Sequence, residues 1–183
     1  MQESAEYILS AEDAVLAGVS EFAVLPTSQI PFSMEVRKIC EGNSCRSFGK
    51  RWSCPPARGS YEDGVRECLS YKNLIVFNTC YPIEDSFDLE GMETAMRDFK
   101  KVCDRVQDIV QAKRRRFLIL SNESCFRCRE CTYPDNPCRF PERLQPSIEG
   151  FGILVGELAK RAGIRYHNGT NTVTYFRAVF FGR

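Results

Sequence analysis

The sequence predicts an α/β fold: a small mixed sheet with a βαβ unit, helices on both faces, a C-terminal antiparallel hairpin and cysteine-rich metal loops. Three observations lead there. Residues 73–80 and 117–121 are short apolar runs, the pattern of strands covered on both faces. Between them, Met92, Met96, Phe99, Val102, Val106 and Ile109 recur at three- and four-residue steps, which predicts one long helix over 86–112. After Asn168-Gly169 the chain ends in alternating β-branched and aromatic residues, which reads as a hairpin at an antiparallel edge. The 183 residues are read as one domain, 1–183, with cysteine loops at 40–56 and 125–143.

In chain order, Ser10 is an N-cap for a helical segment around Ala11–Phe22, broken by Pro26 and Pro31. Residues 34–39 suggest a short strand leading into Cys40. Ser60 caps a short helix over 60–71 that carries Cys68. The strand at 73–80 ends in Cys80, which reads as a core thiol. On the long helix, Cys103 lies at the edge of the apolar stripe and reads the same way. Lys113-Arg114-Arg115-Arg116 complements that helix's C-terminal dipole. The strand at 117–121 then runs almost directly into Cys125, so the second cysteine loop leaves the C-terminal end of a strand, where open α/β sheets place ligands. A helix over 146–162 follows, capped by Ser147 and stopped by Gly163; its start would face an anionic group bound at Cys138.

The chemistry is in the cysteines, ten in all. Cys125, Cys128, Cys131 and Cys138 have the spacing C-x2-C-x2-C-x6-C. Three thiolates at three-residue steps let one loop wrap a compact centre, and a fourth beyond a Pro-rich turn closes it, which is the logic of a [4Fe–4S] site. Zinc is the alternative, although zinc knuckles usually sit as two separated C-x2-C pairs. A second cluster, Cys40, Cys45 and Cys54, is followed by Pro55-Pro56 and lacks a full ligand set. It either borrows Cys68 or Cys80, leaves a metal position open for a substrate, or lends a ligand to the 125–138 site. One cluster is expected, with a second allowed. Trp52 and Phe48 beside Cys54 are placed to shield it from water.

Composition narrows the rest. Net charge is +1 and no aromatic ladder accompanies the basic run, so a nucleic-acid partner is not expected. No run approaches membrane-spanning length and no secretory signal is read at the N-terminus, so a cytoplasmic protein is expected. In that setting a cysteine-rich chain points to metal rather than disulfides. The single histidine, His167, excludes Rieske and His-rich zinc sites and reads as a surface residue. There is no G-x-G-x-x-G or P-loop, and no C-x3-C-x2-C triplet. Arginines crowd both loops; Arg46, Arg51, Arg127 and Arg139 are the candidates for holding an anionic cluster, binding a small anionic ligand, or docking an acidic redox partner protein.

The two motifs together, C-x4-C…W-S-C-P-P and C-x2-C-x2-C-x6-C-R-F-P…P-S-I-E-G-F-G, resemble a family of predicted metal-binding proteins, domain of unknown function 2284, from about Cys40 to Gly163. The resemblance implies cysteine-ligated metal of the iron–sulfur type, held in the cytoplasm. Its motif positions fall on Cys40, Cys45, Cys54, Cys125, Cys128, Cys131 and Cys138, and not on Cys68, Cys80 or Cys103. The function expected is therefore a [4Fe–4S] protein in electron transfer or accessory to a redox enzyme. The alternatives are an enzyme with an open iron at 40–54 and a zinc-stabilised interaction module.

Overall fold

The computed structural model describes residues 8–113 and 116–182, so Arg114 and Arg115 of the basic run and the first residues of the N-terminus lie outside the described residues. In chain order the elements are α1 (Ala11–Ala17), β1 (Glu21–Pro26), α2 (Met34–Glu41), α3 (Tyr61–Leu69), β2 (Asn73–Pro82), α4 (Leu89–Lys113), β3 (Leu118–Ser121), α5 (Val155–Ala162) and β4 (Thr172–Phe181). The strands form one sheet in the order β1-β2-β4-β3, antiparallel throughout.

The sheet is covered on both faces, as the apolar runs predict. Alternation along each strand sorts side chains into two cores. Leu74, Val76, Leu120, Phe176, Ala178 and Phe180 face one core with Cys68, Ile148, Phe151, Ile153 and Leu158. Ile75, Phe77, Ile119, Val179 and Phe181 face the other, against Phe99, Val102, Cys103, Val106 and Val110 of α4 and Ala14 and Ala17 of α1.

The β2-α4-β3 connection is present, but its two strands are not neighbours. They run in the same direction with β4 inserted between them, since each pairs antiparallel with β4. The hairpin and the edge position expected at the C-terminus are corrected accordingly. Residues 164–171 form no strand, and β4 pairs along all ten residues with β2. The physical reason is legible afterwards: Phe176–Phe181 is buried at every position, which only an interior strand covered on both faces allows.

Three other boundaries differ. The first helix stops at Ala17 because Gly18 takes a left-handed C-cap, φ 87°, and the rest of that run becomes β1. Residues 34–41 form a helix rather than a strand: Ser33 accepts from the Glu35 N–H, and Arg37 pairs with Glu41 one turn on. The expected helix over 146–162 divides into a 3₁₀ turn, Glu149–Phe151, and α5. Gly152 separates them at φ 72°, and a Cβ there would lie 2.3 Å from the Tyr61 ring, so only glycine fits. The helix capped by Ser60 forms as expected, with a capping box to Asp63. No helix among the described residues is long and apolar enough to cross a membrane.

Candidate metal centre

Three stretches that carry no helix or strand, 47–55, 122–140 and 145–148, are laced together at the end of β3. Ser53 is at the middle. Its carbonyl accepts from the Ser147 N–H at 3.0 Å and its hydroxyl accepts from the Cys125 N–H at 3.0 Å. Arg51 donates to the Cys125 carbonyl at 2.6 Å, and Ser47 donates to the Ser124 hydroxyl at 3.0 Å. Ser121 donates its N–H to Pro146 O, and Ile148 donates to Ser121 O, both at 2.8 Å. Gly150 packs closely on the first cysteine loop: a Cβ there would lie 3.1 Å from Pro55. The two cysteine loops, far apart in sequence, are thus one structure.

The loops nevertheless face two cavities. Cys125, Cys128, Cys131 and Cys138 line a small one of about 20 Å³, room for about one water molecule. Arg51, Arg127 and Arg139 line it too, with no carboxylate. Arg127 is held there by Asp104 of α4 and by the Arg143 carbonyl; Arg139 donates to Glu130 O at 2.9 Å. Trp52 reaches across from the first loop, with its indole N–H on Asn136 O at 3.0 Å and its ring edge-on to Tyr133 at 5.0 Å. The far end of the loop is anchored by a buried relay: Arg177 donates to Gln145, Gln145 to Gln107 of α4, and Gln107 to Glu142 O.

Cys40, Cys45 and Cys54 line the second cavity, together with Phe48. Its lining differs: Glu123, paired with Lys100 behind it, and Glu149 line it, and no arginine or lysine does. Burial, and then the neighbouring thiols of Cys54 and Cys45, push the Cys40 thiol up to about 11. Burial also raises Cys54, against the hydrogen bond from Ser53. Burial pushes Glu149 up to about 8. These thiols stay protonated near neutral pH, so a metal must drive their ionisation.

The candidate residues therefore divide cleanly. The four-cysteine set lines one cavity with Arg51, Arg127 and Arg139, while the three-cysteine set lines another. Arg46 is exposed and lines neither. Cys68 and Cys103 are fully buried in the two cores, where burial raises both thiols, Cys103 to about 12. Cys80 is half-buried on β2; neither it nor Cys68 lines the three-cysteine cavity, so borrowing by that loop is not seen. His167 is exposed. The helix start expected to face Cys138 is replaced by the single 3₁₀ turn at 149, whose Gly150 N–H is accepted by Ser147. Sequence reasoning missed Glu123, Ser53 and Arg37. Ser53 lies within the W-S-C-P-P motif and Glu149 within P-S-I-E-G-F-G, and those were the available signals.

As the loops stand, no group of three or more His, Cys, Asp or Glu side chains among the described residues is arranged to hold a metal ion. The donor chemistry fits one all the same: a four-thiol set and a three-thiol set each line their own space, with Cys40 in the last turn of α2 and the other six cysteines on loops that can close or widen around a metal. A four-iron cube needs more than the room of one water, so the 125–138 loop must open to take it.

A family model described as predicted metal-binding protein, DUF2284, matches residues 23–181. No curated protein and no solved structure matches the chain.

Proposed function

This chain belongs to that family of predicted metal-binding proteins, and on that premise we propose that it is an iron–sulfur protein with two adjoining metal positions. Cys125, Cys128, Cys131 and Cys138 hold a [4Fe–4S] cluster, and Cys40, Cys45 and Cys54 hold a second centre. The observation that carries the reading is that each motif lines its own cavity, and that the four-cysteine lining holds three arginines and, among the described residues, no carboxylate. A four-thiolate cluster is a net anion, and nearby positive charge and N–H groups stabilise it and raise its reduction potential. Zinc with four thiolates is a net anion as well, so the test below counts zinc, iron and sulfide.

Each residue then has a task. Arg51, Arg127 and Arg139 balance cluster charge, and Asp104 keeps the Arg127 guanidinium in place. Trp52 and Tyr133 close one side against water. Ser53 fixes the Cys125 backbone. When bound, the cluster supplies one-electron transfer, so the protein carries electrons or serves a redox enzyme in the cytoplasm. The open, arginine-rich basin beside Cys128, lined by Arg127, Arg129 and Arg139, suits an acidic redox partner protein.

The test is metal and sulfide analysis of anaerobically purified protein. About eight irons per chain, with broad visible absorption, are expected when both positions are filled. Cys45→Ser should remove the iron of the first loop alone, leaving about four. A colourless protein with stoichiometric zinc overturns the iron–sulfur reading. Loss of all iron on Cys45→Ser overturns the separation of the two centres.

A further inference from the structure

The cavity beside Cys40, Cys45 and Cys54 is far larger than three ligands require, at about 590 Å³. That is the size range of a small-molecule site. Much of its wall is apolar, from Ile39, Met96, Phe126, Leu154 and Val155. Ile39, Phe126 and Leu154 are 71%, 48% and 38% exposed, and exposed large apolar side chains gathered at one opening mark a binding surface.

One polar group in that wall is incomplete. The Glu123 side chain is only 9% exposed. Its Oε1 accepts from Lys100 Nζ and from Ser121 Oγ, both at 2.7 Å. Its Oε2 is buried and has no partner. Buried carboxylate oxygens are almost always satisfied, so an orphan on a cavity-lining residue is a place where an entering ligand that displaces the wall beside it supplies the missing donor. Glu123 is paired with Lys100 and burial raises Glu149 to about 8, so the wall carries little net charge near neutral pH and suits a neutral molecule.

We propose that this cavity binds a small, largely apolar, neutral molecule that presents an N–H or O–H donor to Glu123 Oε2. This separates two expectations that the sequence left together: the arginine side suits anions, and the three-cysteine side takes a neutral, apolar molecule. The pocket stands whatever metal the chain holds. That the ligand lies against a metal at Cys40, Cys45 and Cys54 rests on the reading above.

Matched probes test it. Indole and benzothiophene have nearly the same shape, and only indole carries an N–H. Ligand-detected NMR titrations on anaerobically purified protein should show indole binding about tenfold tighter, the worth of one hydrogen bond to a charged acceptor. Glu123→Met should bring the two within about twofold. Gly156→Leu is the independent control: a Cβ there meets the Tyr166 ring at an ordinary 3.9 Å, so the side chain fits the fold and enters the cavity. It should weaken both probes by about tenfold or more. Equal affinities in the unaltered protein, no binding of either probe, or binding untouched by Gly156→Leu overturns the proposal. Iron and zinc counts on the same samples judge the metal reading separately. Probe selectivity with zinc present sinks the cluster and keeps the pocket; iron with no selectivity does the reverse.

Discussion

Replacing Arg37 with methionine should both destabilise the fold and empty one metal position before the other. Arg37 is 5% exposed on α2 and makes three bonds. Its guanidinium donates to Gly150 O at 2.7 Å, to Gly59 O at 3.0 Å and to Glu41 at 2.9 Å. Methionine keeps the apolar stem and removes all three. Glu41 is 45% exposed and turns to water, so that pair contributes about 0.5 kcal/mol at most. The Gly150 carbonyl loses a charged donor in a buried site, at about 1.5–3 kcal/mol, and the Gly59 carbonyl, nearer to water, costs less. About 3 kcal/mol is expected in all, read as a fall in urea midpoint at constant slope on chelator-treated protein. Because α2 ends just past Cys40 and Arg37 ties it to the 3₁₀ turn at 149–151, the 40–54 loop loses its base. Anaerobic protein carrying Arg37→Met should therefore retain about four irons of eight. A stability loss under about 1 kcal/mol refutes the anchoring argument. Equal depletion of both centres refutes the claim that α2 serves only the first.

Two more outcomes follow from the buried and paired groups. Asp13 accepts from Lys113 Nζ at 2.6 Å and from the Ser10 N–H, and chiefly the lysine bond holds its carboxyl down to about 2. A folded value below the unfolded one stabilises above about pH 4, and the gain disappears as pH falls towards 2. Asp13→Asn should cost about 1 kcal/mol at pH 7, discounted for screening, and the two proteins should converge at pH 2 in thermal melts. Cys68→Ala and Cys103→Ala remove buried thiols whose protonated state is favoured by burial. Each should lower stability by about 1–2 kcal/mol and leave the iron count unchanged; a loss of iron would make either one a ligand.

The sequence reveals most where a pattern is local. The capping box at Ser60, the α4 stripe and the two runs that become β2 and β3 follow from periodicity and short-range bonds. It misleads where tertiary packing decides. Residues 34–39 carry β-branched and polar side chains in no clear order; the Ser33 cap and the Arg37–Glu41 pair are local, but the bond that docks the helix runs from Arg37 to Gly150, more than a hundred residues away. The alternation at 172–175 suggests an edge, but the six buried residues after it decide the position of β4. Within the candidate site, the cysteine spacing shows which thiols belong together. It says nothing about Glu123, a single acid two residues before Cys125, because only the folded chain shows that one oxygen has two donors and the other has none.

The wall between the two cavities is as thin as a chain can make it. Ser53 lines the four-cysteine cavity and Cys54, the next residue, lines the other. The Ser53 hydroxyl takes the Cys125 N–H and lies 3.5 Å from the Cys54 sulfur. The sides of this wall have opposite polarity: three guanidiniums on one, two carboxyl groups and apolar side chains on the other. Like environments would suit two copies of one centre. Unlike ones suit a division of labour, in which the cationic side favours an anionic cluster and raises its potential, while the other side leaves room for a molecule beside three thiols, of which burial keeps Cys40 and Cys54 protonated until a metal binds. Reversing the charge of the wall is then more informative than removing a ligand. Arg139→Glu puts a carboxylate into the four-cysteine cavity, where Arg139 now donates to Glu130 O, and it should lower the reduction potential of the four-cysteine centre while leaving indole binding in the neighbouring cavity unchanged. A change in indole affinity as large as the Gly156→Leu effect would mean that the two cavities are one site.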